Sequence, residues 1–535
     1  MPSSEMSAGQ LALLDYHAYT AEEGPCFSHM LICSTAPLEA ELPFRSDISP
    51  SELEGSADRF LQLRRHLRLF FAKPGAGEGS RRLRLVVRIH GYNVPLKSVR
   101  EEYAATARKF HEDAGHLAQD PPNDFVLFIH FAWPSERIGA GGPLRWIRAM
   151  PIGLILLFVL GGVLGFAASG LAAVLGHLSL GIGITLMLLR MVTYFRDRDR
   201  ASTFGVTDAV EMIRALHHLV EEIGSDTDYL TRLSRGEASR ISLSFLAHSM
   251  GCFLTTSLIR VLSNVFDADA DRHLWEVNPE VGPFAAASCP APVRAETREE
   301  LRRELASIGD LFILDRLILV AADIPVWAIT TGRSNDLASC LRRFRDTFLF
   351  VNDADMVLRL ASTVANYFVF PSGTRIGGTR LGNLTIAGRG RPNGYGWRSS
   401  DLRDVRLNGG LRTMSLYDER IFRCPQWLGF PLNVVDCTDY TDRGRHLSVF
   451  TATHPLLRSL NYTATFLMML LAPLGIGQID SHGGYFRGRF CLDLLHELAL
   501  RGIPQDPKRW TQIQDGLEQH RITWISIPSD GSQGP

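Results

Sequence analysis

The chain has 535 residues, 45% hydrophobic and 21% charged, with a formal net charge of −1. The apolar share is ample for a sizeable core, and the near-zero charge excludes a global electrostatic footprint for nucleic acid or an acidic polymer. The length suits several domains, or one large domain carrying insertions.

The basic residues are almost all arginine; lysine occurs only at Lys73, Lys97, Lys109 and Lys508, a bias that reads as GC-rich coding and hence a bacterial source. Eight cysteines are scattered between Cys26 and Cys491 with no C-x-x-C spacing, which argues against a zinc or redox pair. So little cysteine in so long a chain predicts reduced, buried thiols and a cytoplasmic soluble part. The N-terminal residues MPSSEMSAGQ lack a basic segment followed by an apolar one, so no secretory signal peptide is expected.

Residues 1–80 read as an N-terminal extension with one short strand-like run at Met30–Cys33 and a Gly-rich break at 74–79. From there, strands and helices alternate. A strand is expected at Leu83–Ile89, a helix at Ser98–Ala114 and a second strand at Phe125–Phe131. After an apolar insert come a helix over 205–222, a strand at Ile241–Ala247 and a helix over 250–263. Further strands are expected at Arg316–Ala322, Thr347–Asn352 and Leu432–Asp436, and a last helix over 487–501. Apolar strands separated by helices imply a mostly parallel, doubly wound α/β sheet covered on both faces.

The insert, Pro151 to Val192, has 42 residues with His177 and Arg190 as its main polar breaks. A membrane span takes roughly 20 apolar residues, so two helices in a tight hairpin fit. Arg145 and Arg148 precede it and Arg196, Arg198 and Arg200 follow it, as expected if both ends stay on the cytoplasmic side. Topology agrees: flanking strands that join one sheet require both ends on one side of the bilayer. A buried hairpin or an apolar lid is the alternative. A second apolar run, Thr463–Gly477, is too short for a span. The expected organisation is an extension (1–80), core (81–150), hairpin insert (151–192), core (193–439), insertion or lid (440–480), and C-terminal core with tail (481–535).

Chemistry concentrates at Ala247-His248-Ser249-Met250-Gly251, between a predicted strand and a predicted helix. A serine there suits a nucleophile elbow of G-x-S-x-G type with alanine for the first glycine; a helix-cap serine is the bland alternative. Such a hydroxyl needs a base, an orienting carboxylate and an oxyanion hole. The N–H of Met250, at the helix start, is one candidate oxyanion donor. The N–H of Tyr92, in the His90-Gly91-Tyr92-Asn93 loop after the first core strand, is the other. His90 reads as holding that loop, with catalytic base as its lesser reading.

Together with Trp133-Pro134-Ser135 and Tyr194-Phe195-Arg196-Asp197-Arg198, these motifs resemble the α/β-hydrolase superfamily, and within it a bacterial branch of uncharacterised serine hydrolases. The resemblance covers roughly 83–150, 193–382 and 430–502. It implies the chain order serine, acid, histidine. The acid is then Asp355, with Asp353 in reserve and Asp323 third. The histidine is His482, ahead of His446 and with His454 also in the interval; if it is His482, residues 440–480 are an insertion overhanging the site. The resemblance implies a serine esterase, lipase-like, cleaving a carboxylic ester by a Ser249–His482–Asp355 triad, with no metal or cofactor; the location of the apolar insert beside the site makes a lipid a plausible substrate. The competing expectation is a non-catalytic hydrolase-like scaffold on the membrane. His111-Glu112 with His116 is one residue too wide for a helical zinc motif. Asp267-Asp269-Asp271 lacks the glycine and closing glutamate of a calcium loop. The Gly/Arg-rich stretch 372–396 lacks the Lys-Ser/Thr of a P-loop and reads as a flexible connector, with a mobile loop near the site that touches substrate as the other reading.

Overall fold

The computed structural model describes residues 10–21, 24–38, 45–72, 82–112, 124–136, 191–262, 309–325, 343–362, 380–383, 432–442, 445–447 and 479–527, with a few short pieces between them. Nine strands form one sheet: β1 (Leu11–Ala21), β2 (Gly24–Ser34), β3 (Leu83–Ile89), β4 (Phe125–Ala132), β5 (Ile241–His248), β6 (Phe312–Val320), β7 (Asp346–Val351), β8 (Leu432–Asp436) and β9 (Thr523–Ile527). Their order is β1-β2-β4-β3-β5-β6-β7-β8-β9. The two outermost pairs, β1/β2 and β8/β9, are antiparallel and every pair between them is parallel.

Side-chain alternation explains why both faces are covered. In β3, Leu83, Leu85, Val87 and Ile89 join one apolar cluster, whereas Val86 joins another on the opposite face. The first face packs under α1 (Pro50–Ala72), α3 (Val206–Asp226), the short α4 (Tyr229–Ser234) and α5 (Met250–Val261), through Leu67, Leu219, Tyr229 and Leu258. The second packs under α2 (Leu96–Glu112), α6 (Arg489–Leu500) and α7 (Pro507–Gln519), through Phe110, Leu498 and Leu517. Each fully buried large apolar side chain contributes about 1.5–3 kcal/mol, so the two layers hold the sheet between them. Cys33, Cys252, Cys340, Cys437 and Cys491 are free and buried.

The stretch before residue 80 departs from expectation. It supplies two long strands and a helix to the same sheet, where the sequence pattern predicts one short strand. The start of α1 carries a readable signal: in Ser49-Pro50-Ser51-Glu52 the Glu52 carboxylate accepts from the Ser49 N–H at 2.9 Å and hydroxyl at 2.8 Å, the acidic half of a capping box with proline at the first helical position. Asp506-Pro507 opens α7 in a similar way, Asp506 accepting from the Lys508 N–H at 3.1 Å. Among the described residues no helix is long and apolar enough to cross a membrane. The apolar insert over 151–190 lies outside them apart from His177, as does 463–477 apart from Thr465.

Candidate active site

Ser249, Tyr92, Asp323, Asp353 and Asp355 follow the carboxyl ends of the parallel strands. At the end of β5 the chain reverses sharply into α5, and Ser249 sits at the corner with φ 55° and ψ −121°. That region is open almost only to glycine and costs of order 1–3 kcal/mol for another residue. The surroundings hold it: the Ser249 N–H donates to the Val320 carbonyl at 2.9 Å, and its carbonyl accepts from Cys252 at 3.0 Å and Asp323 at 3.2 Å. Close approach of the neighbouring loop requires two glycines. A Cβ on Gly251 would lie 2.5 Å from the His90 carbonyl oxygen, and one on Gly91 would lie 2.9 Å from the Ser249 Cβ. The loop after β3 therefore lies directly against the elbow.

The three motifs of that region meet on one buried carboxylate. Asp197 Oδ2 accepts from the Asn93 N–H at 2.9 Å and from the Ser135 hydroxyl at 2.8 Å, while the Ser135 oxygen accepts from the Val94 N–H at 3.1 Å. Arg196 and Arg200 supply positive charge to Asp197. Asn93, at φ 59°, is thereby held in a left-handed turn. The Trp133 indole donates to the His90 carbonyl at 2.8 Å and stacks on the His90 ring with centroids 5.2 Å apart. His90 donates through Nδ1 to the Gly91 carbonyl at 2.8 Å, and burial pushes its pKa down to about 3. It is a neutral loop-holding group. Tyr92 is half-buried in this turn, its ring edge-on to Tyr194. Met250 opens α5, so its N–H belongs to the first helical turn, which has no intrahelical acceptor.

Of the three aspartates, Asp355 reaches the histidine. Its Oδ2 lies 2.7 Å from His482 Nδ1, and its Oδ1 accepts from the Val357 and Leu358 N–H groups at 3.0 and 3.2 Å. A carboxylate only accepts, so Nδ1 carries the hydrogen and Nε2 keeps its lone pair. Burial lowers the pKa of His482, but the charge and hydrogen bond of Asp355, with Asp480 and Asp323, outweigh it and leave the group above 6.5. Asp353 instead pairs with Arg359, and Asp323 pairs at 3.1 Å with the fully buried Arg380. His446 lies in a short two-stranded pair with 441–442, and His454 lies outside the described residues.

The serine and the imidazole share this edge without a hydrogen bond between them. Ser249 is fully buried, and neither its Oγ nor His482 Nε2 has a hydrogen-bond partner among the described residues. The contact between the two segments runs through His248, whose ring centroid is 4.8 Å from that of His482.

Sequence reasoning assigns no role to Asn352 and Asn383, yet both tie down the segment that carries Asp355. The Asn352 amide donates to the Ser481 carbonyl at 2.7 Å, and the Asn383 amide donates to the carbonyls of Asn352 at 3.2 Å and Asp355 at 3.1 Å. Asn383 and Arg380 come from the Gly/Arg-rich stretch, for which a flexible connector and a mobile loop near the site are the two expectations; 380–383 is packed inside the protein, next to Asp355. Nothing local in its sequence signals this, because the partners lie 28–31 residues upstream for Asn383.

Among the described residues, one group of side chains could gather on a metal ion: His217, His218 and Glu221 on α3. It adjoins a cavity of about 610 Å³ lined also by Leu233, Arg240 and Asp310, at the opposite, amino-terminal edge of the sheet. It plays no part at Ser249. Comparison of the chain with protein-family models, with curated proteins and with solved structures finds no match.

Proposed function

We propose that this protein is a serine hydrolase of α/β-hydrolase type that cleaves a carboxylic ester. The observation that carries the reading is the 2.7 Å pair between His482 Nδ1 and Asp355 at the same sheet edge as a serine in a strained strand-to-helix corner. In this reading His482 Nε2 takes the Ser249 proton as Oγ attacks the acyl carbon. Asp355 holds the imidazole tautomer and stabilises the imidazolium. The N–H groups of Tyr92 and Met250 stabilise the oxyanion. The imidazolium returns its proton to the leaving alcohol, and water, activated by the same imidazole, then releases the acid.

Membrane association through 151–192, with the hydrolase part on the cytoplasmic side of a bacterial inner membrane, belongs to the same proposal. Its support is the apolar run and its arginine flanks, and a lipid ester is the substrate class that location favours. A non-catalytic hydrolase-like scaffold draws on one observation, the buried Ser249 hydroxyl without a hydrogen bond to His482.

A serine-directed fluorophosphonate separates the two. Labelling of the native chain that is lost in Ser249→Ala supports the hydrolase. A folded native chain that takes no label refutes it and favours the scaffold.

A further inference from the structure

His248, the last residue of β5, is the side chain that joins the elbow to the histidine loop. Its Nε2 lies 3.1 Å from the main-chain carbonyl oxygen of His482. A carbonyl only accepts, so His248 must carry its hydrogen on Nε2 and leave Nδ1 bare. The ring is wedged in place, 4.8 Å from the His482 ring and 5.1 Å, edge-on, from Phe486. On its other side, Nδ1 lies 3.1 Å from the point a Cβ on Gly91 would occupy, against the loop after β3.

His482 is thus tethered at three points. Its N–H, with that of Gly483, turns onto Asp480 Oδ1 at 3.3 and 2.8 Å. Its ring Nδ1 is on Asp355. Its carbonyl is on His248. The first tether is local to the loop, and the second reaches the segment after β7. The third alone of these starts from the residue next to Ser249. We propose that His248 is a positioning residue that sets the distance between the Ser249 hydroxyl and the His482 imidazole by fixing the backbone of His482. The inference rests on the reading of Ser249 and His482 as nucleophile and base.

An uncharged donor suits this position. His248 stands beside the base that becomes an imidazolium during the reaction, and a second positive ring there would oppose that charge. Its enclosure, with His482, Arg88 and His90 around it, holds its pKa well below the ordinary value, the bond to the His482 carbonyl opposing this only in part. The ring is therefore neutral when the base is working.

The test uses the full chain and a pair of amides that differ in reach. His248→Gln carries an N–H to the position of Nε2, whereas His248→Asn stops at the position of Nδ1. Fluorophosphonate labelling rates are measured for both, alongside the low-field proton resonance of the His482 Nδ1–H. We expect His248→Asn to label about 10²-fold more slowly, the size of effect that follows a 1 Å misplacement of a reacting group, with that resonance broadened or moved. His248→Gln should recover most of the rate and the native resonance. Equal rates for Asn, Gln and native protein overturn the proposal, as does an Asn variant whose resonance is unchanged. These outcomes leave the proposed function standing. A native chain that takes no label overturns that function, and this proposal with it.

Discussion

Gly251→Ala puts one methyl group where the backbone of α5 meets the end of β3. Its Cβ would lie 2.5 Å from the His90 carbonyl oxygen, 2.7 Å from that of Ile89 and 3.1 Å from the Ile89 carbonyl carbon. A relaxed carbon-to-oxygen contact is about 3.3 Å, so helix and loop must separate by roughly 0.6–0.8 Å. All three atoms belong to the main chain, so no rotamer change relieves the overlap. Overpacking of this kind costs about 1–3 kcal/mol, partly offset by the roughly 0.5–1 kcal/mol that alanine gains over glycine inside a helix. The net loss expected is roughly 0–2.5 kcal/mol. The shift falls on the loop that carries Tyr92 and on the helix that carries Met250, the two candidate oxyanion donors. Misplacing them by nearly 1 Å should slow fluorophosphonate labelling by about 10²-fold. Urea titration and labelling kinetics on one preparation measure both quantities. A variant that labels at the native rate and is no less stable would refute the claim that this glycine clamps the loop to the elbow.

Asp355→Asn should slow labelling by about 10³–10⁴-fold, the loss that follows when the orienting carboxylate of a triad becomes an amide, while Asp353→Asn breaks the Arg359 pair and leaves the rate near native. The labelling rate should also rise with pH through a midpoint above 6.5, because Asp355, Asp480 and Asp323 keep His482 protonated to higher pH despite its burial; a midpoint at or below 6.5 contradicts this. His29, His130 and His496 are buried with pKa values pushed below 6.5 by that burial, His29 to about 3. The unfolded chain therefore binds more protons than the folded one as pH falls below about 6.5, and stability present above that pH is lost progressively towards the folded values at up to about 1.4 kcal/mol per pH unit per group. His29→Phe, which removes two buried nitrogens without hydrogen-bond partners among the described residues, should move the acid-unfolding midpoint to lower pH in circular dichroism. Asp197→Ala leaves the Asn93 N–H and the Ser135 hydroxyl without their acceptor beside two arginines, and should cost about 3 kcal/mol in urea unfolding; a loss below about 1 kcal/mol would mean another group holds the loop.

Much of the sheet could be read from the chain because a strand buried on both faces must be apolar along its whole length. Leu83–Ile89 and Leu432–Asp436 are found where that pattern places them, and Phe125, Ile241 and the β7 strand differ from expectation only at their ends. Edge strands escape this logic. β1 reads Leu-Ala-Leu-Leu-Asp-Tyr-His and is stabilised by β2, which follows it in the chain, and by α1 farther on; its own pattern shows neither partner. The elbow was likewise legible, since a small-residue corner between an apolar strand and an apolar helix is a local feature.

What the sequence by itself determined is the set of residue types and the order in which they meet the sheet edge: serine, aspartates, histidines. The resemblance ranks Asp355 and His482 first among them; which side chains meet in space is a matter of tertiary structure. Asp353 and Asp355 are two residues apart and alike in composition, and only the fold turns one towards Arg359 and the other towards His482. The same holds for Arg380, which is drawn from a stretch that looks like a linker to neutralise Asp323. A side chain's role is set by what faces it across space, and a hydrogen bond spanning 127 residues leaves no mark on the neighbours of either partner.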